Sequence, residues 1–435
     1  MTNHMIPVPP VPPARKFLTA WMVILPIFML GRVQEAFPVL WPFRLMLISA
    51  LVTVVALIMH QGFSKARLRL LGKSPTFKWV LALFGVMVLS IFDTFWLSKS
   101  ISFLKETLLF NSVFLLALNC QVNRRADLNS VLAGAGIATV LLALVCLVMP
   151  REAGERTFAT YSYDPNDQAL MFVIILVLLM PGVRFVKKTY RWCLLVMAML
   201  NLGAIALSQS RGGLLALVAA AFFWGASRGV KGVVKMMALG ALVLLLAVSI
   251  IPAERLARFT TLFNIENDYN VTADHGRLYV WTNGLKLLKE HPINGTGLGT
   301  FIVAEGRTHS EGMWSTAHNS FVQIAVELGV PGLVVFLGLL FSLYKHAKPV
   351  NEEDWLGLGI RLALIAYVVG GMFLSWGYSF VLFFLIHIAM VRERVLSMVG
   401  NEPSGQEDTP LVAEASSLTV FDSTGRRRYQ MRERK

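Results

Sequence analysis

Four of the chain's eight histidines, His275, His291, His309 and His318, lie in or at the end of one stretch, 252–318. His318 begins the run HNSFVQIAVELGVPG, where polar sequence gives way to apolar sequence. A helix N-terminus favours the neutral imidazole, the form that accepts a proton. His318 is therefore a candidate general base; the alternative is a hydrogen-bonded histidine at the start of a helix. Asn319 beside it carries an amide suited to orienting a hydroxyl or the ring. Arg211, in SQSRGGLLAL (208–217), is placed to bind an anion. Ser210, Gly212 and Gly213 would leave backbone N–H groups open at a helix start, and the guanidinium adds a bidentate fork for phosphate. The alternative is an interfacial arginine reaching lipid headgroups. Arg277, one turn before Trp281, is either a cation–π arginine or the second half of a pyrophosphate clamp. Asp164 and Asn166, in YSYDPND (161–167), could bind sugar hydroxyls, although Asp-Pro-Asn also reads as a turn with a helix cap. Glu327 is expected near the membrane interface, wet or paired with an arginine.

The elements that must position these groups are membrane helices. The chain is 55% hydrophobic, with mean hydropathy +0.61 and 15% charged residues. Apolar runs of about 20 residues suffice to cross ~30 Å of hydrocarbon. About twelve are expected, at 17–31, 43–62, 77–97, 101–121, 127–149, 168–186, 189–207, 211–227, 232–251, 320–345, 355–376 and 377–391. The fold class is therefore an all-α polytopic membrane protein. No cleavage site follows the first run, so it is expected to serve as a span. Cys120, Cys146 and Cys193 all fall in apolar runs, without disulfide or zinc spacing.

The net charge of +14 is distributed as a topology signal, and no nucleic-acid partner is expected. Basic residues cluster in alternate loops, such as Lys65–Lys78, Arg124–Arg125 and Arg184–Arg191, and in the tail. That places both termini in the cytoplasm and 151–167 and 252–318 outside it. The domain reading is a Pro-rich head (1–16), a membrane domain (17–391) and a disordered cytoplasmic tail (392–435). Within the long loop, Asp274 is positioned to cap a surface helix over 276–290. Its face of Leu278, Trp281, Leu285 and Leu288 would rest on the membrane. HPINGTGLGTF (291–301) follows as a glycine-rich tight turn, and Gly329 with Pro331 should kink the helix after His318. Patterns for D-x-D, H-E-x-x-H and the P-loop are missing. No metal or cofactor is expected, and nucleotide-sugar transferases, metalloproteases and ATP-driven pumps are disfavoured. A lipid-linked glycan flippase is the competing class. It would place ionisable groups near the bilayer midplane, whereas the unusual charges here sit at span ends.

The ordered set S-R-G-G (210–213), G-R-x-x-x-W-x-x-G (276–284), H-P-I-x-G-x-G-x-G-x-F (291–301) and H-N-S-F-x-x-x-x-x-E-x-G-x-x-G (318–332) resembles the O-antigen ligase/polymerase family. The resemblance implies a GT-C-type glycosyltransferase of the bacterial inner membrane with its site facing the periplasm. Its partners would be membrane lipids, an undecaprenyl-pyrophosphate-linked glycan donor, and a glycan or lipid A-core acceptor. By motif, Arg211 and Arg277 would hold the pyrophosphate and His318 would assist the acceptor hydroxyl in a metal-independent, inverting displacement. Ligase, polymerase and protein O-glycosylation activities all remain open at this stage.

Overall fold

The computed structural model describes residues 15–59, 71–122, 124–148, 156–250, 276–309 and 314–399. Among these residues the secondary structure is helical, with no strand. In chain order the helices are α1 (Arg15–Met29), α2 (Leu45–Met59), α3 (Pro75–Leu89), α4 (Leu97–Gln121) and α5 (Arg125–Val148). They continue with α6 (Pro165–Leu179), α7 (Lys188–Ser208), α8 (Arg211–Ala226), α9 (Val230–Ile250) and α10 (Arg277–Glu290). The last four are α11 (Phe301–Thr308), α12 (Ser320–His346), α13 (Trp355–Gly371) and α14 (Phe380–Val399).

Every apolar run read from the sequence coincides with one of these helices. Among the described residues, seven helical segments are long and apolar enough to cross a membrane. Three more apolar helices are shorter: Phe17–Met29, Arg211–Ala226 and Trp355–Gly371. Three of the expected twelve runs fall on these shorter helices. Gln209, in the left-handed region, separates α7 from α8, and a turn separates α13 from α14.

α6 is the central helix, with every residue from Gln168 to Leu179 buried. It packs against α7, α8 and α13, while α1 packs on α5 and α12 on α3. Small residues permit the closest approaches, as in other membrane bundles. Gly359 of α13 lies against the backbone of Leu178, and Gly134 of α5 against that of Val23.

The connections gather into two groups. In one, Arg392 of α14 donates to Asp354 (Nε to Oδ1, 3.0 Å) and to the carbonyls of His346 and Lys348. Burial alone would raise the Asp354 carboxyl, but the hydrogen bonds from Arg392, Val350 N and Gly357 N, with the Arg392 charge, together hold that group below its ordinary range. Arg394 binds the carbonyls of Leu118, Asn119 and Val122. These bonds extend α14 to Val399, past the point where the sequence reading began the tail. Residues 400–435, the head 1–14 and the stretch 251–275, with Asp274 and His275, lie outside the described residues.

The other group is organised by a break in α12. Gly329 has φ 70° and interrupts the helix, as expected from Gly329 and Pro331. A kink of this kind frees backbone groups that must be paired elsewhere when buried. Pro331 has no N–H, so the Glu327 carbonyl loses its helical donor and accepts from Gly297 N at 3.0 Å instead. The Val326 carbonyl accepts from Thr296 N at 2.8 Å, and Val330 N donates to the Pro292 carbonyl at 2.8 Å. The glycine-rich turn thereby replaces the missing helical partners. Gly295, Gly297 and Gly299 all have positive φ there.

Gly329→Ala combines a left-handed backbone with a methyl placed on the Ile293 carbonyl. It should destabilise the protein by about 1–3 kcal/mol or more. Gly85→Ala in α3, where a methyl meets nothing within 4 Å, should be neutral or stabilising by up to about 1 kcal/mol. Thermal melting of the two detergent-solubilised variants checks the contrast.

Candidate active site

His318 is not the helix cap. Asn319 occupies that position, its side-chain oxygen accepting from Phe321 N (2.9 Å) and Val322 N (3.1 Å). Capping commits the Asn319 oxygen to the backbone, so the expected role of orienting a hydroxyl or the ring would fall to its amide nitrogen. His318 precedes the cap with φ 44°, a conformation uncommon for a side-chain-bearing residue. Two contacts hold it there. The His318 N–H donates to Ser375 Oγ at 2.9 Å, and Trp281 Nε1 donates to the carbonyl of Ala317 at 2.8 Å. Trp281 thus ties α10 to the residue before His318. Its neighbour Ser320 accepts from Trp376 N and donates to the Leu374 carbonyl.

The imidazole is shifted below its ordinary pKa, first by burial and then by Arg277, with Asp164 opposing. Arg277 and Asp164 are therefore both within electrostatic reach of His318, although 113 residues separate Asp164 from Arg277 (277 − 164). Arg211 enters through the turn 372–379. Ser375 of that turn bonds His318, while Phe373 packs against Gly212, next to Arg211. His318 and Gly212, the neighbour of Arg211, thus meet positions two residues apart in one short segment.

Other expected binding residues have structural work. Ser210 is fully buried and caps α8, its Oγ accepting from Gly213 N at 3.1 Å. Gly213 is buried and packs on Ala169. The open-amide reading of this turn is therefore corrected at Gly213, whose N–H is taken. Asp164 forms a capping box with Asp167 at the start of α6, which agrees with the turn-and-cap alternative, yet it also faces His318. Asn166 is engaged by Arg156 and lies beside Asp164.

Glu327 is the clearest correction. It is 1% exposed, neither wet nor paired with an arginine. Its carboxylate accepts from Gly299 N and Phe301 N, both at 3.0 Å, at the start of α11. A carboxylate suits a helix N-terminus, where amides lack intrahelical partners. Glu327 therefore staples the glycine-rich turn to the His318-bearing half of α12. That half is buried from Ile324 to Gly329.

α10 itself spans Arg277–Glu290, close to the expected 276–290. Val280, Asn283, Gly284 and Leu287 are buried, whereas Leu278 and Leu285 are each 53% exposed. Gly284 lets the helix approach Val322 and Phe301. The buried Asn283 is satisfied by Glu305 at 2.9 Å. Hydrophobic spacing alone does not separate a protein-facing stripe from a lipid-facing one.

Sequence reasoning missed Arg156. Its Nε donates to the Ser208 carbonyl at 2.9 Å and its terminal nitrogen to Asn166. It joins the 156–164 connection to the α7–α8 turn that carries Arg211. A cation in a segment assigned outside the cytoplasm was the available signal, since such segments are poor in Lys and Arg.

A model of the O-antigen ligase family matches residues 194–337. That stretch contains Arg211, Arg277, His318 and the whole kink-and-turn assembly. The exopolysaccharide production protein ExoQ of Rhizobium meliloti (strain 1021) is 25% identical over 154 residues. The alignment covers 31% of this chain and 35% of that protein, so it spans about a third of the relative's length. Together the two matches support the O-antigen ligase/polymerase family.

The electrostatics make a signed prediction. Asp164→Asn keeps a capping residue but removes the charge that favours the imidazolium, so the His318 pKa should fall further. Arg277→Met should raise it. The pH dependence of diethylpyrocarbonate modification, corrected with His318→Ala, reads both shifts, because only the neutral ring reacts. Equal profiles in all three proteins would remove the electrostatic coupling.

Proposed function

We propose that this member of the O-antigen ligase/polymerase family transfers a glycan from a lipid pyrophosphate carrier to an acceptor hydroxyl, at a site facing the periplasm of a bacterial inner membrane. The observation that carries the reading is a largely buried imidazole biased to its neutral form by burial and by Arg277, at the meeting point of segments that also bring in Arg211. The acceptor oxygen attacks the anomeric carbon while the bond from that carbon to the pyrophosphate oxygen breaks. His318 takes or orients the hydroxyl proton. The bonding electrons leave with the pyrophosphate, whose growing charge Arg211 and Arg277 balance. Inversion follows from a single displacement, and Asp164 stabilises the imidazolium that forms. The carrier is undecaprenyl pyrophosphate and no metal takes part.

Grouping the basic connections at the end opposite His318 supports cytoplasmic termini. The GT-C assignment rests on the family. Among acceptors we favour another lipid-linked glycan, giving repeat-unit polymerisation for an exopolysaccharide. The Rhizobium relative, named for exopolysaccharide production, supports that choice. Transfer to lipid A-core or to a protein hydroxyl uses the same machinery.

The test is transfer by the purified full-length protein in liposomes containing an undecaprenyl-pyrophosphate oligosaccharide. His318→Ala should slow transfer by roughly 10²–10⁴-fold, the usual range for a positioned acid or base. Arg211→Ala and Arg277→Ala should each cost about 10²–10³-fold, as for loss of one group that stabilises developing charge. Wild-type rates in His318→Ala would remove its role, and wild-type rates in both arginine variants would remove the clamp.

A further inference from the structure

The connection that carries Arg156 and Asp164 also carries an exposed aromatic residue that the transfer reaction does not use. Tyr161 is 73% exposed, in a segment outside every candidate span. Its ring meets Trp41 edge-on, with centroids 4.9 Å apart and planes at 71°. Trp41 is 43% exposed, and its indole N–H donates to the Glu35 carbonyl at 3.2 Å, which fixes the ring. Beside the two rings lies a polar cluster. Glu35 accepts from Ser162 N at 2.9 Å and Ser162 Oγ at 2.8 Å, and Arg32 bonds both Glu35 and Ser162.

We propose that Trp41 and Tyr161, flanked by Arg32, Glu35 and Ser162, form a glycan-binding platform that holds sugar residues of a substrate chain beyond the reacting one. A pyranose has an apolar C–H face and a rim of hydroxyls. The electron-rich ring faces suit the former. Carboxylate and guanidinium groups retain acceptor and donor capacity for the latter, since a carboxylate has about four lone-pair sites and a guanidinium five N–H groups. Position supports the same ligand. Tyr161 is three residues from Asp164, so the platform lies within about 11 Å of chain from the residue that faces His318. Tyr163, between them, is buried, and its hydroxyl donates to the Leu30 carbonyl at 2.9 Å. Burial pushes that hydroxyl up to about 12, so it stays a donor and braces the segment against the turn carrying Arg32. The Trp41 ring is fixed by its own hydrogen bond and the backbone beside Tyr161 by the Ser162–Glu35 bonds, which lowers the ordering cost of binding.

The platform rests on the proposed glycan transfer for its ligand, and its test is independent of catalysis. Trp41 opens the candidate span Pro38–Met59, so an interfacial aromatic belt is the competing outcome. The full-length protein in nanodiscs is applied to an array of lipid-free bacterial surface-polysaccharide oligosaccharides. Wild type should capture at least one of them. Tyr161→Ala and Trp41→Ala should each weaken capture about tenfold, Tyr161→Phe should retain it, and His318→Ala should bind as wild type does. Failure to capture any oligosaccharide, or capture unchanged in Tyr161→Ala, overturns the platform. So does quenching of the Trp41 fluorescence component by brominated lipid, which would place the ring in the headgroups. Loss of capture in Tyr161→Ala alongside full transfer by His318→Ala would remove the catalytic reading and leave the platform standing.

Discussion

The break at Gly329 is the constraint on which the site depends. A continuous α12 would satisfy its own backbone and need no partner. Breaking it beside Pro331 leaves the Val326 and Glu327 carbonyls and the Val330 amide without helical partners. In a buried setting each would cost roughly 1–3 kcal/mol if left unpaired. The turn 292–301 supplies the partners, and Glu327 returns two hydrogen bonds to that turn. The exchange is reciprocal, so neither segment keeps its conformation without the other. Phe95 N, bonded to the Thr296 carbonyl, and Ser100 Oγ, bonded to the Leu298 carbonyl, extend the lock to α4.

This lock fixes the half of α12 that begins at Ser320, and with it the backbone on which His318 is held at positive φ. Such a conformation costs of order 1–3 kcal/mol and persists where the surroundings over-determine it. Here the surroundings are Ser375, the cap Asn319 and the Trp281–Ala317 bond. They come from three separate parts of the chain. Rigid support of this kind is what a positioned proton acceptor requires.

Much of this was legible in order along the chain. Apolar runs located the helices, Gly329 and Pro331 announced the kink, and Gly295, Gly297 and Gly299 announced the turn. Arg211, Arg277 and His318 were legible as candidates by residue type, a guanidinium for phosphate and an imidazole for a proton. Glu327 was misread as wet or arginine-paired because its partners, the Gly299 and Phe301 amides, come from the preceding loop. Arg156 was missed because its partners, Ser208 at the end of α7 and Asn166 in the first turn of α6, are brought to it only by the fold.

By itself, the sequence determined what is local: helix against turn, span against loop, and the residue types with donors, acceptors or charge to offer. Those properties follow from backbone sterics, hydrophobic length and side-chain chemistry, each of which acts within a few residues. Only the tertiary structure decided which of those groups are consumed in holding the fold. Ser210, Gly213 and Glu327 are consumed in this way, and Asn319 spends its side-chain oxygen so, while His318, Arg277 and Asp164 come within electrostatic reach of one another. That division depends on hydrogen bonds between segments far apart in the chain, and no local pattern encodes them.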